Sequence, residues 1–395
     1  MKCSAAANKI KEILKKNGYK AYIVGGAVRD YVLKRTINDY DIATNALPND
    51  IIKIFSNYPV IKTGMKHGTV AVIVRKEKVE VTTFRKDGDY DDYRHPLNVE
   101  FVEDLYSDLK RRDFTINSLA YDDEIIDYFG GISDIKNSII RTINDPYKSF
   151  TDDALRILRA LRFASVLGFS ISDETKEAIH KYASLLERIS KERIIDELFK
   201  MIVGKYYYMV FCDYFDVFQY LFNLNYSNDE KEKTIIGYKK MTSDDLLLRL
   251  GLLFFYSDEE KICDLLKKYR LSKANIKNIS KICSLKSRRC STEIDIRRLL
   301  KTYDYMIIEK YFYLQSILDE DFNYDNKISI LIDVKNKCNS LSDLLISGND
   351  LLKIGIENKK IGELLDSVLD EVIDGKLENE KEKLLDYVKK RVNIC

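Results

Sequence analysis

Two short stretches near the N-terminus decide how this sequence is interpreted: "YIVGGAVRD" (residues 22–30) and "NDYDIAT" (residues 38–44). The first has the pattern of a short buried strand that ends in two glycines and leads into a helix. Because glycine lacks a Cβ, backbone N–H groups at such a turn approach an anion closely, and Arg29 lies one turn into the helix. The pattern predicts a phosphate-binding turn, with a plain tight turn as the alternative.

The second stretch carries two aspartates, Asp39 and Asp41, on a predicted strand. Side chains at i and i+2 of a strand point to the same face, so the two carboxylates repel each other unless a cation lies between them. Mg²⁺ binds through one or two carboxylates together with substrate phosphates. The pair therefore predicts a metal site, and two solvated surface acids are the alternative. Glu80, in "KVEVTTF", is a candidate third carboxylate or an ordinary surface residue.

A third stretch, "DLKRRDFTIN" (residues 108–117), adds a second pair of cationic side chains. Arg111 and Arg112 are suited to phosphate, because guanidinium groups donate several hydrogen bonds and stay charged. The neighbouring Asp113 would accept hydrogen bonds from ribose hydroxyls. The stretch thus predicts further contacts to a nucleotide.

A fourth stretch, "DDALRILRALRF" (residues 152–163), spaces four charged residues by three: Asp153, Arg156, Arg159 and Arg162. On one helix this spacing predicts a single charged stripe among apolar neighbours. Such a stripe is costly to bury without an anion, which would be a nucleobase or phosphate, or else an internal ion-pair network.

The first two members of this stripe suit two of the four bases. The carboxylate of Asp153 only accepts hydrogen bonds, and the guanidinium of Arg156 only donates them. Cytosine and adenine each present an amino donor beside a ring-nitrogen acceptor and match this pair. Guanine and uracil present the reverse order, so the pair would select C and A and reject G and U.

Composition and the positions of proline limit which folds and functions the chain can have. The 395 residues predict two or more domains. All four prolines lie in the first 146 residues, which predicts an α+β part followed by a long helical part. No apolar run reaches the ~20 residues of a membrane span, and seven scattered cysteines without a CxxC motif suggest a cytoplasmic protein. Residues 261–301 hold 13 Lys/Arg against 3 Asp/Glu, which indicates a polyanion partner or a solvated helix face.

Taken in order, these motifs resemble those of the class II tRNA nucleotidyltransferases of bacterial type, the CCA-adding enzymes. The matching pieces are "VGGAVRD", "DYDIAT", "TGMKHGTV", "EVTTFRKDGDYDDYRHP", "LKRRDFTIN", "DALRILRALRF" and "ERIIDEL". The resemblance is dense to about residue 205, weak to about residue 340, and returns over the last 50 residues. It implies an α+β nucleotidyltransferase head with a mixed, mostly antiparallel sheet (residues 1–140). An all-α neck (141–205), body (206–330) and tail (331–395) would follow it.

The resemblance also implies an activity: template-independent addition of CCA to the 3′ end of tRNA from CTP and ATP, with Mg²⁺ as cofactor and release of pyrophosphate. The expected partners are the tRNA acceptor arm and the two nucleotides, with no membrane. The implied roles are metal binding and catalysis for Asp39 and Asp41; phosphate contact for Gly26 and Arg29; nucleotide and ribose contact for Arg112 and Asp113; and base recognition for Asp153, Arg156, Arg159 and Arg162.

Three alternatives stay open at this point: a partial adder of A or of CC alone, a related poly(A) polymerase, and an inactive RNA-binding relative. The intact Asp39/Asp41 pair argues against the inactive relative. The stretch from residue 85 to residue 101 has the length of a complete family loop, which favours full CCA or A addition. Asp152 and His95 depart from the usual family residues, Glu and Arg, at their positions.

Overall fold

The computed structural model describes residue 1 and residues 3–88 and 99–392. Most of the loop from residue 85 to residue 101, including His95, therefore lies outside the described residues. The chain divides into two compact units, one from Met1 to Asn223 and one from Leu224 onward.

The first unit contains the sheet that positions the site. Its strands are β1 (Ala21–Val24), β2 (Asp41–Thr44), β3 (Val60–Ile61), β4 (Thr69–Val74), β5 (Glu77–Thr83), β6 (Arg85–Asp87), β7 (Val99–Phe101), β8 (Leu119–Tyr121), β9 (Ile125–Asp127), β10 (Ile139–Ile140) and β11 (Ser170–Ile171). Within the described ranges, seven strands form one sheet in the order β3-β4-β5-β2-β1-β8-β9. Only β2 and β5 run parallel in this sheet, so the predicted mixed and mostly antiparallel sheet is confirmed.

Local sequence explains the sheet. The β4–β5 hairpin turns at Arg75 and Lys76, whose φ angles are 53° and 66°. Positive φ at both central residues fits a type I′ turn, whose twist matches that of the flanking strands. The β-branched runs on either side pair from Thr69 to Val74, with Val72 opposite Val79. On one face, β1, β2 and β8 pack against α4 through a cluster of buried apolar side chains: Val24, Ala43, Phe84, Leu105, Leu109 and Ala120.

The helices of the first unit surround this sheet and continue beyond it. They are α1 (Ala5–Lys16), α2 (Gly26–Val32), α3 (Pro48–Ile54), α4 (Leu105–Lys110), α5 (Gly131–Lys136), α6 (Pro146–Asp152), α7 (Leu155–Leu167), α8 (Asp173–Tyr182), α9 (Lys191–Ile202), α10 (Tyr207–Asp213) and α11 (Phe215–Phe222). From α6 on, the described chain is almost entirely helical, as the absence of proline predicts.

One sequence prediction about these helices is wrong. Asp153 does not lie on the same helix as Arg156, because α6 ends at Asp152 and α7 begins at Leu155. Asp153 has an extended backbone, with φ −140° and ψ 102°. Its Oδ1 accepts a hydrogen bond from the backbone N–H of Leu155 at 3.1 Å, which satisfies a donor that the first turn of α7 leaves free. The stripe therefore consists of three arginines on α7 and an aspartate just before it.

The second unit is helical throughout its described part. Its helices are α12 (Asn228–Lys240), α13 (Leu246–Phe254), α14 (Glu259–Lys268), α15 (Lys273–Ser284), α16 (Glu293–Thr302), α17 (Tyr305–Leu318), α18 (Tyr324–Val334), α19 (Gly348–Lys353), α20 (Asn358–Ile373) and α21 (Lys381–Arg391). Buried Arg297 of α16 donates to the carbonyls of Val372 and Ile373 at the end of α20, at 3.2 and 2.9 Å. A search of the described helices for one long and apolar enough to cross a membrane finds none.

Candidate active site

The ten residues to which the resemblance assigns roles meet in one cleft of the first unit, whereas Glu80 does not line it. The cleft has a volume of about 790 Å³ and is lined by all ten of them: Gly26, Arg29, Asp39, Asp41, Arg112, Asp113, Asp153, Arg156, Arg159 and Arg162. The volume lies within the range of small-ligand pockets, ~300–1,000 Å³. The structure therefore brings the predicted site residues together, while their individual roles stay predictions.

The acidic end of the cleft is formed by Asp41, the first residue of β2, and by Asp39, which precedes the strand instead of lying on it as predicted. Register places Asp41 beside Glu80 of the parallel neighbour β5. Asp41 is accessible to solvent, but the surrounding protein partly desolvates its carboxyl and so raises its pKa. The negative charge of Glu80 raises that pKa further. Arg112 acts in the opposite direction but does not reverse the shift.

This donor set fits a hard divalent cation. The neighbouring carboxylates raise the pKa of Asp41, which shows that its negative charge is under-neutralised, and oxygen ligands are what Mg²⁺ prefers. Within the described residues, no group of three or more acidic, histidine or cysteine side chains is arranged to hold a metal unaided. The fit is therefore that of a shared site, in which protein carboxylates and substrate phosphates together complete the coordination.

The two-glycine turn brings two arginines together. Gly25 has φ +70°, and a Cβ at this position would lie 3.2 Å from Nη1 of Arg112. A side chain here would be strained by the backbone and would crowd the arginine. Arg29, on α2, donates to Oδ1 of Asn117 at 2.7 Å and pairs with its neighbour Asp30. The turn thus lets Arg112 lie next to the start of α2.

Buried Asp108 orients the second arginine pair. It contacts Arg111 at 2.8 Å and Arg112 at 3.1 Å. Burial by itself raises the pKa of this carboxyl, but the two guanidinium groups outweigh burial, so the net shift of the pKa is downward. Asp108 does not line the cleft; it acts on the cleft through the arginines that it holds, and its Oδ1 also accepts a hydrogen bond from the backbone N–H of Arg85 at 3.4 Å.

Asp113 forms the link between the head strands and α7. Its Oδ2 accepts a hydrogen bond from Nε of Arg159 at 2.7 Å, and its Oδ1 accepts one from the backbone N–H of Phe114 at 2.9 Å. Burial raises the pKa of Asp113, but the neighbouring Arg159 more than reverses this effect and lowers the pKa below its usual value. A ribose hydroxyl would share an acceptor that already has protein partners.

The remaining arginines of α7 surround an aromatic ring that was not predicted. Phe163 lines the cleft, and the guanidinium carbons of Arg162, Arg29 and Arg159 lie 4.4, 5.4 and 5.6 Å from its ring centre. These distances suit cation–π contact. Buried Glu197, on α9, pairs with Arg162 at 3.2 Å. The internal ion-pair network considered as an alternative is therefore present for Arg159 and Arg162.

Several lining residues were missed from sequence, and only some of them carried a signal. Arg193 falls inside "ERIIDEL", a stretch already noted, but periodicity alone does not say which of its charges faces a cleft. Asn117 falls inside "DLKRRDFTIN" in the same way. Phe163 looks like ordinary core, and His67 and Arg85 meet the cleft only through tertiary folding.

Comparison with protein-family models identifies three segments. Residues 21–141 match the "Poly A polymerase head domain", residues 168–222 match the "Probable RNA and SrmB- binding site of polymerase A", and residues 240–388 match tRNA nucleotidyltransferase domain 2. The first segment holds the acidic end of the cleft and its two-glycine turn.

Among curated proteins, the CCA-adding enzyme of Anoxybacillus flavithermus is 38% identical over 408 residues, covering 97% of each chain. The chain belongs to the CCA-adding enzyme family. The family's protein from Enterococcus faecalis is 35% identical, covering 99% of this chain and 98% of its own. The resemblance noted from sequence is thereby confirmed, and it spans the middle of the chain as well.

Solved structures of the CCA-adding enzyme family share the fold. The crystal structure of the Bacillus stearothermophilus enzyme in complex with CTP aligns with a TM-score of 0.76 and 31% identity, covering 98% of this chain and 97% of that one. The Thermotoga maritima enzyme complexed with tRNA aligns with a TM-score of 0.69 at 23% identity, covering 98% and 94%. The predicted fold class is therefore confirmed over nearly the whole chain.

Proposed function

We propose that this protein adds C, C and A in turn to the 3′ end of tRNA, using CTP and ATP without a nucleic-acid template and releasing pyrophosphate. The observation that carries the proposal is the cleft, where an acidic pair and a donor–acceptor pair line one cavity of nucleotide size. Full-length similarity to CCA-adding enzymes supports the same activity and does not favour a partial adder or a poly(A) polymerase.

The reaction would be an in-line transfer in which the tRNA 3′-hydroxyl attacks the α-phosphorus and pyrophosphate leaves. Arg29 and Arg112, near the two-glycine turn with Gly26, would hold the triphosphate by charge-assisted hydrogen bonds. Asp113 would accept a hydrogen bond from the ribose. Such contacts place the α-phosphorus close to the acidic end, and positioning is the main protein contribution in phosphoryl chemistry.

Asp39 and Asp41 would hold Mg²⁺, with Glu80 beside them in register as a further candidate ligand. When bound there, Mg²⁺ lowers the pKa of the attacking hydroxyl and neutralises the triphosphate. The raised pKa of Asp41 means that its carboxylate takes up protons more readily than an ordinary one, so acid would weaken the site.

Base choice would belong to Asp153 and Arg156, whose side chains line the cleft. Asp153 would accept from the amino group of cytosine or adenine, and Arg156 would donate to the adjacent ring nitrogen. A wrong base would leave buried polar groups unpaired, which costs about 1–3 kcal/mol for each. Arg159 and Arg162 would complete the pocket.

The helical remainder would hold tRNA. The neck would comprise residues 141–205, the body residues 206–330 and the tail residues 331–395, with the acceptor arm recognised mainly through phosphates and shape. The exposed cations of the 261–301 block are candidates for these contacts. A cytoplasmic location would fit a tRNA substrate.

The test is primer extension on three tRNA transcripts that end before CCA, after C and after CC. Each transcript is incubated with CTP alone, ATP alone or both. Growth of all three to CCA is the expected result. Extension of only the first two by CTP, or only the last by ATP, would reassign the protein as a partial adder. If no transcript grows, the proposed activity is wrong.

A further inference from the structure

We propose that Arg193, on α9, is a positioning residue that keeps the two base-recognising side chains, Asp153 and Arg156, from pairing with each other. This inference rests on the proposed function, in which those two side chains recognise the base. It adds a third residue whose task is to keep the recognition pair open.

The need for such a residue follows from spacing and charge. The backbone hydrogen bond from the N–H of Arg156 to the carbonyl of Asp153 holds the two residues near each other, and their opposite charges attract. If Asp153 closed onto Arg156, their acceptor and donor atoms would satisfy one another. A closed pair offers a base edge no free hydrogen-bond pattern and therefore cannot tell cytosine from uracil.

In the structure each member of the pair is held by other groups. Asp153 accepts at Oδ2 from Nη2 of Arg193, at 3.3 Å, and at Oδ1 from a backbone N–H. Arg156 donates through Nη1 to Oγ of Ser149 at 3.0 Å and through Nη2 to the carbonyl of Arg111 at 3.1 Å. The backbone N–H of Arg156 donates to the carbonyl of Asp153 at 3.0 Å, but among the described contacts no hydrogen bond or ion pair joins the two side chains.

Arg193 differs from an arginine that only stabilises a fold. Buried Arg297 donates to three backbone carbonyls and to the side-chain oxygen of Asn339. Arg193 lines the cleft, and in the described part of the chain its one ion-pair partner is Asp153. Its Nη1 is buried without a hydrogen-bond partner. A guanidinium with a spare buried donor can keep hold of Asp153 while that carboxylate adjusts to a larger or smaller base.

The location of α9 makes this arrangement possible. α9 packs along α7, and one turn after Arg193 it carries Glu197, which pairs with Arg162 of α7. One helix thus supplies a cation to the aspartate before α7 and an anion to an arginine on α7. The Arg193 contact therefore belongs to a rigid packing surface, which suits a positioning role.

The experiment measures kcat and KM for CTP, ATP and UTP with the full-length enzyme, using Arg193→Gln, Arg193→Lys and Lys200→Gln. For Arg193→Gln we expect KM for CTP and ATP to rise about tenfold, kcat to change less than about threefold, and the preference for CTP over UTP to fall about tenfold. Arg193→Lys keeps the charge and should restore most of the preference. Lys200→Gln removes an exposed charge from the same helix and should behave like wild type.

Two results would overturn the inference. One is a loss of kcat in Arg193→Gln with unchanged KM and unchanged base preference, as a purely structural role predicts. The other is an Arg193→Lys enzyme, folded by circular dichroism, whose preference for CTP over UTP is as low as that of Arg193→Gln. Two controls separate this failure from failure of the proposed function. If wild type extends no tRNA, the proposed activity is wrong, and if Asp153→Ala keeps wild-type base preference, the base-recognition role of Asp153 is wrong; in either case this inference falls as well.

Discussion

Two aspartates in the cleft, Asp41 and Asp113, have pKa values that are shifted in opposite directions. Asp41 lies beside other carboxylates, which raise the pKa of its carboxyl beyond the effect of its surroundings. Asp113 is paired with Arg159, which lowers its pKa despite burial. The first is suited to a cation that must be supplied from outside, and the second is already neutralised by the protein.

At Asp39 we expect the substitution Asp39→Asn to abolish nucleotide addition, by a factor of about 10³ or more, because one charged metal ligand is removed. The fold and tRNA binding should be unchanged, since Asp39 is exposed. Pyrophosphate release and a tRNA filter-binding assay measure the two properties. Glu12→Gln, at an exposed position on α1, is the matched control. Activity close to wild type in Asp39→Asn would exclude the metal role.

At Asp113 we expect Asp113→Asn to lower the free energy of unfolding at neutral pH by about 3 kcal/mol, because it leaves Arg159 without its closest anion. The folded pKa of Asp113 lies below its unfolded value, so its contribution is present above the unfolded pKa of about 3.9 and is lost as pH falls through the folded pKa. Urea unfolding at neutral pH and below about pH 4 should therefore show the difference shrinking in acid. A constant difference would contradict the pairing argument.

Helices α7 and α9 form the element on which the cleft depends, and they approach very closely. Gly204 lies two residues after the end of α9, and a Cβ there would lie 2.2 Å from Oγ and 2.7 Å from the carbonyl oxygen of Ser165, on α7. The same Ser165 donates to the carbonyl of Met201 at 2.5 Å. No side chain fits between these backbones.

We therefore expect Gly204→Ala to lower the free energy of unfolding by about 1–3 kcal/mol through overpacking. It should also reduce base preference, because α9 carries Arg193 and Glu197. Gly362→Ala is the matched control, since a Cβ there meets no atom within 4 Å and the position is inside α20. That change should be neutral or stabilising by up to about 1 kcal/mol. The urea midpoint at unchanged slope is the measurement.

Some of the helices and strands could be predicted from the sequence, and others could not. Strand pairs and the two-glycine turn follow from β-branched runs and glycine chemistry, so β1, β4 and β5 were predicted. The break before α7 was not, because it depends on one side chain: Asp153 bonds its own neighbouring backbone instead of continuing the helix. Glu197 and Arg193 lie on α9, a helix distant in sequence from α7. Their ion pairs with Arg162 and Asp153 depend on tertiary packing, which the periodicity of the sequence does not predict.

At the scale of the whole molecule, charge is distributed unevenly although the net formal charge is only +2. Part of the basic block at residues 261–301 is used internally: Lys301 pairs with Asp366 and Asp370, and Arg298 pairs with Asp374. Other members are exposed, among them Lys268, Lys273, Lys277, Arg288 and Arg289. Part of the block is therefore occupied by internal ion pairs, and the rest is exposed.

We expect the double variant Arg288→Gln/Arg289→Gln to bind tRNA more weakly than wild type. The slope of log affinity against log salt concentration should fall by about one for each phosphate contact that is lost. Extension of a saturating tRNA should keep its kcat. Lys53→Gln/Lys62→Gln removes two exposed charges from the first unit and serves as the control. An equal change of slope in both variants would mean that only net charge matters.

The arginine-rich lining of the cleft has one more consequence. Eight arginines and five aspartates face the same cavity, and three of those arginines crowd one phenylalanine ring. A polyanion bound in this space would add negative charge to a lining in which arginines outnumber aspartates. Bound CTP or ATP would therefore stabilise the folded protein against heat. A cell depleted of these nucleotides would leave the protein more prone to unfolding and proteolysis.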